Sequence, residues 1–385
     1  MDDNKGLKIL GETLGWSNEE ARTEFQWLRM MAAIKYDDYR DFLPGMRFLE
    51  NLAGWLQQFS QLDERREAYR LLRQRLIYVS PPEMQRLVEL LYPCVIERRL
   101  IQIIAERRGI PEYVVRVDRD ARADLDRLRR RTLILGLSDG ARIDILRHST
   151  TRILSNEQFV LQTQADLFKW KSVLADLQKE QPAKEGEPKA AFEVVVLVDD
   201  FMGTGSSFLR YDAEEKKWKG KLCKFLASLQ YAMDNVPVMA ENWQLCVHHY
   251  LATEKAAHAM PERERQAIAS PGKEVPLKRP SHYTFGAKVP DEVCISATKP
   301  DDSALVALTQ SYYNTKIETR HTNVGGVKHL GLGYGGCALP LILHHNTPNN
   351  SLALLWAEAP EGVDDAGSPQ REMRPLFRRR QRHTV

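Results

Sequence analysis

At 385 residues the chain is too long for one minimal domain and has room for one large domain or two smaller ones. Its 43% apolar and 28% charged fractions are those of a globular protein, and a net charge of +3 excludes a chain-wide polyanion-binding surface. No apolar run reaches the about 20 residues that span a bilayer, and the polar start Met1-Asp2-Asp3-Asn4-Lys5 lacks a signal-peptide core, so a cytoplasmic protein with no membrane partner is expected.

The first stretch reads as helical. Ser17 and Glu20 make a capping-box pattern, after which Phe25, Leu28, Met31 and Ile34 recur at helical spacing. Phe48, Leu52, Trp55, Leu56 and Phe59 resume the stripe after Pro44-Gly45, a third helix is expected over Glu64 to Tyr78, and a fourth begins near Glu83 and bends at Pro93. Trp27 and Trp55 on these stripes are expected in the core. The region offers no recognisable chemistry and suits either a partner-docking layer or a helical cap. Between 111 and 131, Arg and Asp alternate at i, i+4 distances, which predicts a solvent-facing helix laced with ion pairs rather than a nucleic-acid stripe.

Thr132-Leu133-Ile134-Leu135-Gly136-Leu137 predicts the first core strand. It runs into Ser138-Asp139-Gly140-Ala141-Arg142-Ile143-Asp144, a small-residue turn whose guanidinium can grip anionic oxygens in a bidentate way. The alternative is an ordinary turn with Arg142 paired to Asp139 or Asp144. An amphipathic helix is expected from Ser155 through Leu177, and a surface linker over 181–188.

The run Val194-Val195-Val196-Leu197-Val198 is apolar and mostly β-branched, the pattern of a strand buried on both faces of a parallel sheet. Polar residues gather at its C-terminal end, where open α/β sheets bind ligands. Asp199 and Asp200 come first, then Gly203, Thr204, Gly205, Ser206 and Ser207. Glycines let backbone N–H groups converge on one point and the hydroxyls add donors, which suits a phosphate. Carboxylates repel phosphate, so the acid pair is expected to face donor groups such as ribose hydroxyls. A buried strand ending in a solvated Asp-Asp turn is the plainer alternative.

Beyond the loop, Tyr211 to Gly220 is expected to be a surface excursion or hairpin, Lys221 to Met233 a helix, and Trp243 to Leu251 a strand in which only one of His248 and His249 faces the core. Residues 270–290 read as a long loop or lid. The glycine-rich 330–340 has the spacing of neither a P-loop nor a dinucleotide turn. Leu341 to Leu343 and Leu352 to Trp356 are expected strands, joined by a loop in which Asn349 and Asn350 can meet the edges of a base or simply form a Pro-Asn-Asn turn. The five cysteines are scattered with no C-x-x-C pair, so neither a disulfide frame nor a zinc site is expected. Arg371, Arg374, Arg378, Arg379, Arg380 and Arg382 end the chain in a basic tail able to hold RNA or single-stranded DNA through phosphates.

The order of apolar strand, Asp199-Asp200, then Thr204-Gly205-Ser206-Ser207 resembles the phosphoribosyl pyrophosphate (PRPP) motif of the type I phosphoribosyltransferases. The resemblance implies an α/β fold, a parallel sheet flanked by helices. It makes Asp199 and Asp200 the catalytic pair on the ribose 2′ and 3′ hydroxyls, and Phe201, Met202, Gly203, Thr204, Gly205, Ser206 and Ser207 the 5′-phosphate loop. By order in the chain, Ser138, Asp139, Gly140 and Arg142 correspond to the pyrophosphate loop, with Mg²⁺ arriving on PRPP or pyrophosphate rather than on a protein ligand. Purine-salvage members carry a further Asp where this chain has Gly203, so the base expected for 6-oxopurine transfer is missing, as it is in orotate-type enzymes. The wider set, 136–144, 199–207 and 346–352, resembles the phosphoribosyltransferase-like domains of bacterial conflict systems, some of them retron-associated. That likeness implies an effector in phage defence, with a defence-system protein partner and a structured nucleic acid as ligand of the tail. The expected division is a helical N-terminal region over 1–125, the phosphoribosyltransferase-like domain over 126–360 and a flexible basic tail over 361–385.

Overall fold

In the computed structural model of the chain, residues 2–40, 42, 45–183, 185–270, 277, 279–319, 325–327, 329–364 and 367–379 are described. They separate into two compact units, one built from 1–83 together with 290–385, the other from 84–289. These units differ from the expected contiguous regions 1–125, 126–360 and 361–385, because the apolar stripes of the first helices are completed by residues from the far end of the chain.

The chain opens with α1 (Asp3–Leu14), α2 (Asn18–Ile34), α3 (Phe48–Gln57) and α4 (Leu62–Arg70). Ser17 starts α2 through the anticipated capping box: its hydroxyl accepts from the Glu20 amide at 3.3 Å, and the Glu20 carboxylate accepts from the Ser17 amide at 2.8 Å. The end of the span expected as a third helix is instead β1 (Ile77–Val79). Next, α5 (Pro81–Leu91) passes through a π turn at Tyr92–Ile96 into α6 (Glu97–Arg108), the bend expected where Pro93 withholds an amide. The alternating Arg-Asp stretch forms α7 (Arg119–Arg130), capped by Asp118 and paired outward, Arg108 to Asp124 at 2.6 Å and Arg116 to Glu97 at 2.9 Å.

The second unit holds β2 (Thr132–Gly136), α8 (Ile143–Ser149), β3 (Phe159–Leu161), α9 (Leu167–Glu180), β4 (Phe192–Met202), the hairpin β5 (Arg210–Asp212) and β6 (Lys217–Lys219), α10 (Lys221–Met233), β7 (Met239–Thr253), α11 (Glu254–Ala269) and β8 (His282–Val289). Five strands form a parallel sheet in the order β3-β2-β4-β7-β8, the α/β architecture that the sequence pattern implies. On one face Leu133, Leu135, Val195, Leu197 and Val247 pack with Trp170 of α9 and Phe225 of α10. On the other, Val194, Val196 and Cys246 meet Ile96 and Leu100. Both faces are covered, which is why β4 reads as an unbroken apolar run.

Three local expectations are corrected in this unit. Ser155 and Gln158 do make a capping box, but it starts only the single turn Asn156–Gln158, and β3 follows before α9 begins under the cap of Asp166. The stretch 270–290 carries a strand, since 282–289 ladders onto β7; residues 271–276 and 278 lie outside the described ones. His248 and His249 are both buried at 1% exposure, because helices cover the two faces to which they alternate.

The chain then returns to the first unit with α12 (Ser303–Ser311), β9 (Leu341–Leu343), α13 (Ala353–Trp356), β10 (Gly362–Val363) and β11 (Pro369–Gln370). β9 pairs in parallel with β1, while 353–356 is a helical turn rather than a strand, closed by the Ala357 amide on the Ala353 carbonyl at 2.8 Å. The tail is anchored as far as it is described: Met373, Leu376 and Phe377 are buried, whereas Arg380 and Arg382 lie outside the described residues. No helix of the described residues is long and apolar enough to cross a membrane.

Candidate functional site

From β2 the chain crosses to β3 on one side, then returns to place β4 on the other side of β2. That reversal opens a crevice at the C-terminal ends of β2 and β4, the usual ligand position in such sheets. The register brings Gly136 opposite Val198, and the Leu137 amide donates to the Val198 carbonyl at 2.9 Å. The turn at 138–142 and the acid pair at 199–200, far apart in sequence, therefore meet.

Strand alternation sends the two carboxylates to opposite faces. Asp199 is buried at 3% exposure. Its Oδ1 accepts from the Ser138 hydroxyl at 2.5 Å, and its Oδ2 pairs with the Lys221 ammonium at the start of α10. Burial pushes the Asp199 carboxyl up from the usual carboxylate range, Lys221 opposes that rise, and the neighbouring charge of Asp200 adds to it. Asp200 lies on the other side, where its Oδ1 accepts from the Phe201 amide at 2.8 Å and its Oδ2 closes on Gly140.

A Cβ on Gly140 would sit 2.3 Å from Asp200 Oδ2, so the turn approaches the carboxylate as only glycine permits. Gly140→Ala is expected to turn the Asp200 carboxylate aside and weaken binding of any ligand held by that carboxylate about tenfold, the equivalent of about 1.4 kcal/mol, with little change in melting temperature. Calorimetric titration beside a thermal melt checks this, and unchanged affinity contradicts it.

The 203–207 loop is shaped by Gly205, whose φ of +74° belongs to the left-handed region. A Cβ there would lie 2.0 Å from Met260 Cε in α11. The Phe208 and Leu209 amides turn back onto the Gly205 carbonyl at 3.0 and 2.9 Å, so the loop ends in one helical turn. The hairpin then interrupts, and α10 resumes on that same turn: the Lys221 amide donates to the Ser207 carbonyl and the Leu222 amide to the Phe208 carbonyl, each at 3.0 Å. Among the described residues the amides of Thr204, Gly205 and Ser207 make no hydrogen bond within the chain. The Thr204 and Ser206 hydroxyls hydrogen-bond each other at 2.8 Å.

Supporting groups come from later elements. Thr253 donates to the Gly203 carbonyl at 2.7 Å while its oxygen accepts from the Ala256 amide at 3.0 Å, coupling the loop to the start of α11. The buried Tyr250 hydroxyl donates to the Ala141 carbonyl at 2.9 Å and fixes the 138–142 turn. His249 stands in register with Asp199, packs edge-on to Phe208, and is pushed down to about 3 by burial, so it is neutral. Arg142 has a φ of +48° and starts α8, with its Nε 4.0 Å from Asp144. Asp139 opens the turn Asp139–Ala141.

The structure thus brings Ser138 and Gly140 against Asp199 and Asp200, with Asp139 and Arg142 in the same turn and residues 203–207 following the end of β4, while Met202 is buried in the sheet core at 2% exposure. Asn349 and Asn350 belong to the other unit, where the Asn350 amide donates to the Tyr334 carbonyl at 3.0 Å and the Cys337 sulfur at 3.4 Å. Lys221, Tyr250, Thr253 and Arg263 were not foreseeable as neighbours of the motif; only the placement of Lys221 at a helix start just after the excursion hinted at proximity. The PRTase-CE family model matches residues 52–379. No curated protein and no solved structure matches the chain.

Proposed function

The chain belongs to the PRTase-CE family, a phosphoribosyltransferase-like family, and on that premise we propose that it binds PRPP or a ribose 5-phosphate nucleotide at the β2–β4 crevice. It reacts at ribose C1, as an effector in phage defence. The observation that carries this reading is the convergence of the Ser138 turn, the acid pair and the donor-rich 203–207 loop at one topological switch point. Amides and hydroxyls of the loop take the 5′-phosphate, Asp200 takes ribose hydroxyls, and Asp199, held by Ser138 and Lys221, fixes the floor between them.

With PRPP, the bond from C1 to pyrophosphate breaks, the pyrophosphate leaves with the electron pair, and an acceptor bonds to C1 through an oxocarbenium-like state. With a nucleotide, water attacks C1 and the base leaves. The hydroxyl of Ser138 and the guanidinium of Arg142 suit the anionic diphosphate, and Mg²⁺ bound to that diphosphate would supply neutralising charge to the leaving group. The residues of this chain position and stabilise charge. Pyrophosphate or free base released by wild type is expected to fall about a hundredfold or more in the Asp199→Asn, Asp200→Asn double variant. Equal release by the two contradicts the mechanism.

One observation favours a second reading, a non-catalytic PRPP- or nucleotide-sensing module in a defence complex. Both oxygens of Asp199 already have partners within the chain, so ligand occupancy rather than chemistry can bias the crevice. PRPP binding without turnover by any acceptor supports that alternative.

A further inference from the structure

Two cations reach the loop from outside it: Arg210, at the start of β5, donates from Nη1 to the Ser206 carbonyl at 3.2 Å, and Arg263 comes from α11. Arg263, half-buried on α11, donates from Nη1 to the carbonyls of Thr204 at 3.2 Å and Leu209 at 3.0 Å, the two ends of the loop. The same nitrogen lies 3.4 Å from where a Cβ of Gly205 would stand. Nearby acids are committed elsewhere: Glu262 pairs with Arg265 at 3.3 Å, and Glu264 accepts from Ser281 and Tyr283. Among the described residues no carboxylate is within ion-pair distance of Arg263.

Among the described residues this partly buried guanidinium is answered only by two carbonyls, which leaves it under-compensated, and its charge persists at neutral pH. The amides of Thr204, Gly205 and Ser207 and the two hydroxyls are neutral donors, which distinguish poorly between one and two negative charges. A fixed full charge does distinguish them. We propose that Arg263 supplies counter-charge to the phosphoryl subsite beyond that of Arg210 and makes the loop selective for a terminal dianionic phosphate monoester over a phosphodiester of the same sugar. This inference rests on the sugar-phosphate reading above.

The full chain is titrated calorimetrically without divalent cation, using ribose 5-phosphate and its singly charged methyl phosphodiester. Since a phosphate monoester takes its second charge near about pH 6, wild type is expected to prefer the monoester about tenfold near pH 7.5 and to lose most of that preference toward pH 5. Arg263→Gln is expected to flatten the preference at all pH values, and Arg263→Lys to retain part of it. A merely structural role predicts instead that Arg263→Gln weakens both ligands equally and keeps the wild-type ratio and pH profile, which overturns the proposal. So does equal wild-type affinity for the two ligands near pH 7.5, a result that needs no variant to fold. If wild type binds neither ligand, the sugar-phosphate reading itself falls, and this inference with it.

Discussion

Lys221→Met is expected to destabilise the chain by about 3 kcal/mol, because it leaves a buried carboxylate with no cation beside it. Asp199 is buried at 3% exposure, and its remaining partner, the Ser138 hydroxyl, cannot replace a full charge. The variant's Asp199 regains neutrality by keeping its proton, so its folded pKa lies above the unfolded one. Stability is then present in full below the unfolded carboxylate range and falls as pH rises through the folded pKa. Adding Asp199→Asn removes the charge, and most of the lost stability together with its pH dependence should return. Denaturant unfolding of both single variants and the double variant measures the coupling directly. A Lys221→Met variant as stable as wild type, or a double variant no better than the single, contradicts the pairing.

Phe377→Ala is expected to cost about 3–5 kcal/mol, the range for deleting a fully buried aromatic ring. Phe377 is 0% exposed and contacts the rings of Tyr36, Tyr39, Phe42, Phe48 and Tyr78, with centroids 5.2 to 6.0 Å away. Its amide also donates to the Leu355 carbonyl at 2.8 Å. Met373, Leu376 and Phe377, within the segment expected as a flexible basic tail, are therefore part of the core of the first unit. Thermal unfolding monitored by circular dichroism tests this, and a loss below about 1 kcal/mol contradicts it. Deleting 371–385 removes this ring as well as the arginines, so nucleic-acid binding through the tail is a separate question, answered by replacing charges rather than by truncation.

What was legible in the sequence was local. β4 with its acid pair announced itself because five consecutive apolar residues leave no solvent face, and polar groups collect at one end. The bounds of α10 and the hairpin before it followed from apolar spacing and a charged interruption. Lys221 and Arg263 were hidden, since the first meets Asp199 only after the hairpin folds out of the way and the second lies two elements further on. β8 did carry a period-2 signal, Tyr283, Phe285, Ala287 and Val289 alternating with His282, Thr284, Gly286 and Lys288, but the prolines and glycines spread over 270–290 read as a loop. Phe377 was masked by arginines on both flanks of a short apolar pair, a composition typical of a solvated end. Long-range packing decided the places of Lys221, Arg263 and Phe377, and no window of sequence contains it.

We propose that a sugar phosphate sits where Ser138, Asp199, Asp200 and the 203–207 loop converge. Titrating PRPP with Mg²⁺ into wild type and into the Asp199→Asn, Asp200→Asn double variant, in one calorimeter and one buffer, tests it most directly. One saturable site is expected on wild type, with affinity reduced at least about tenfold in a folded double variant. No binding by wild type, or the same affinity in both proteins, contradicts it.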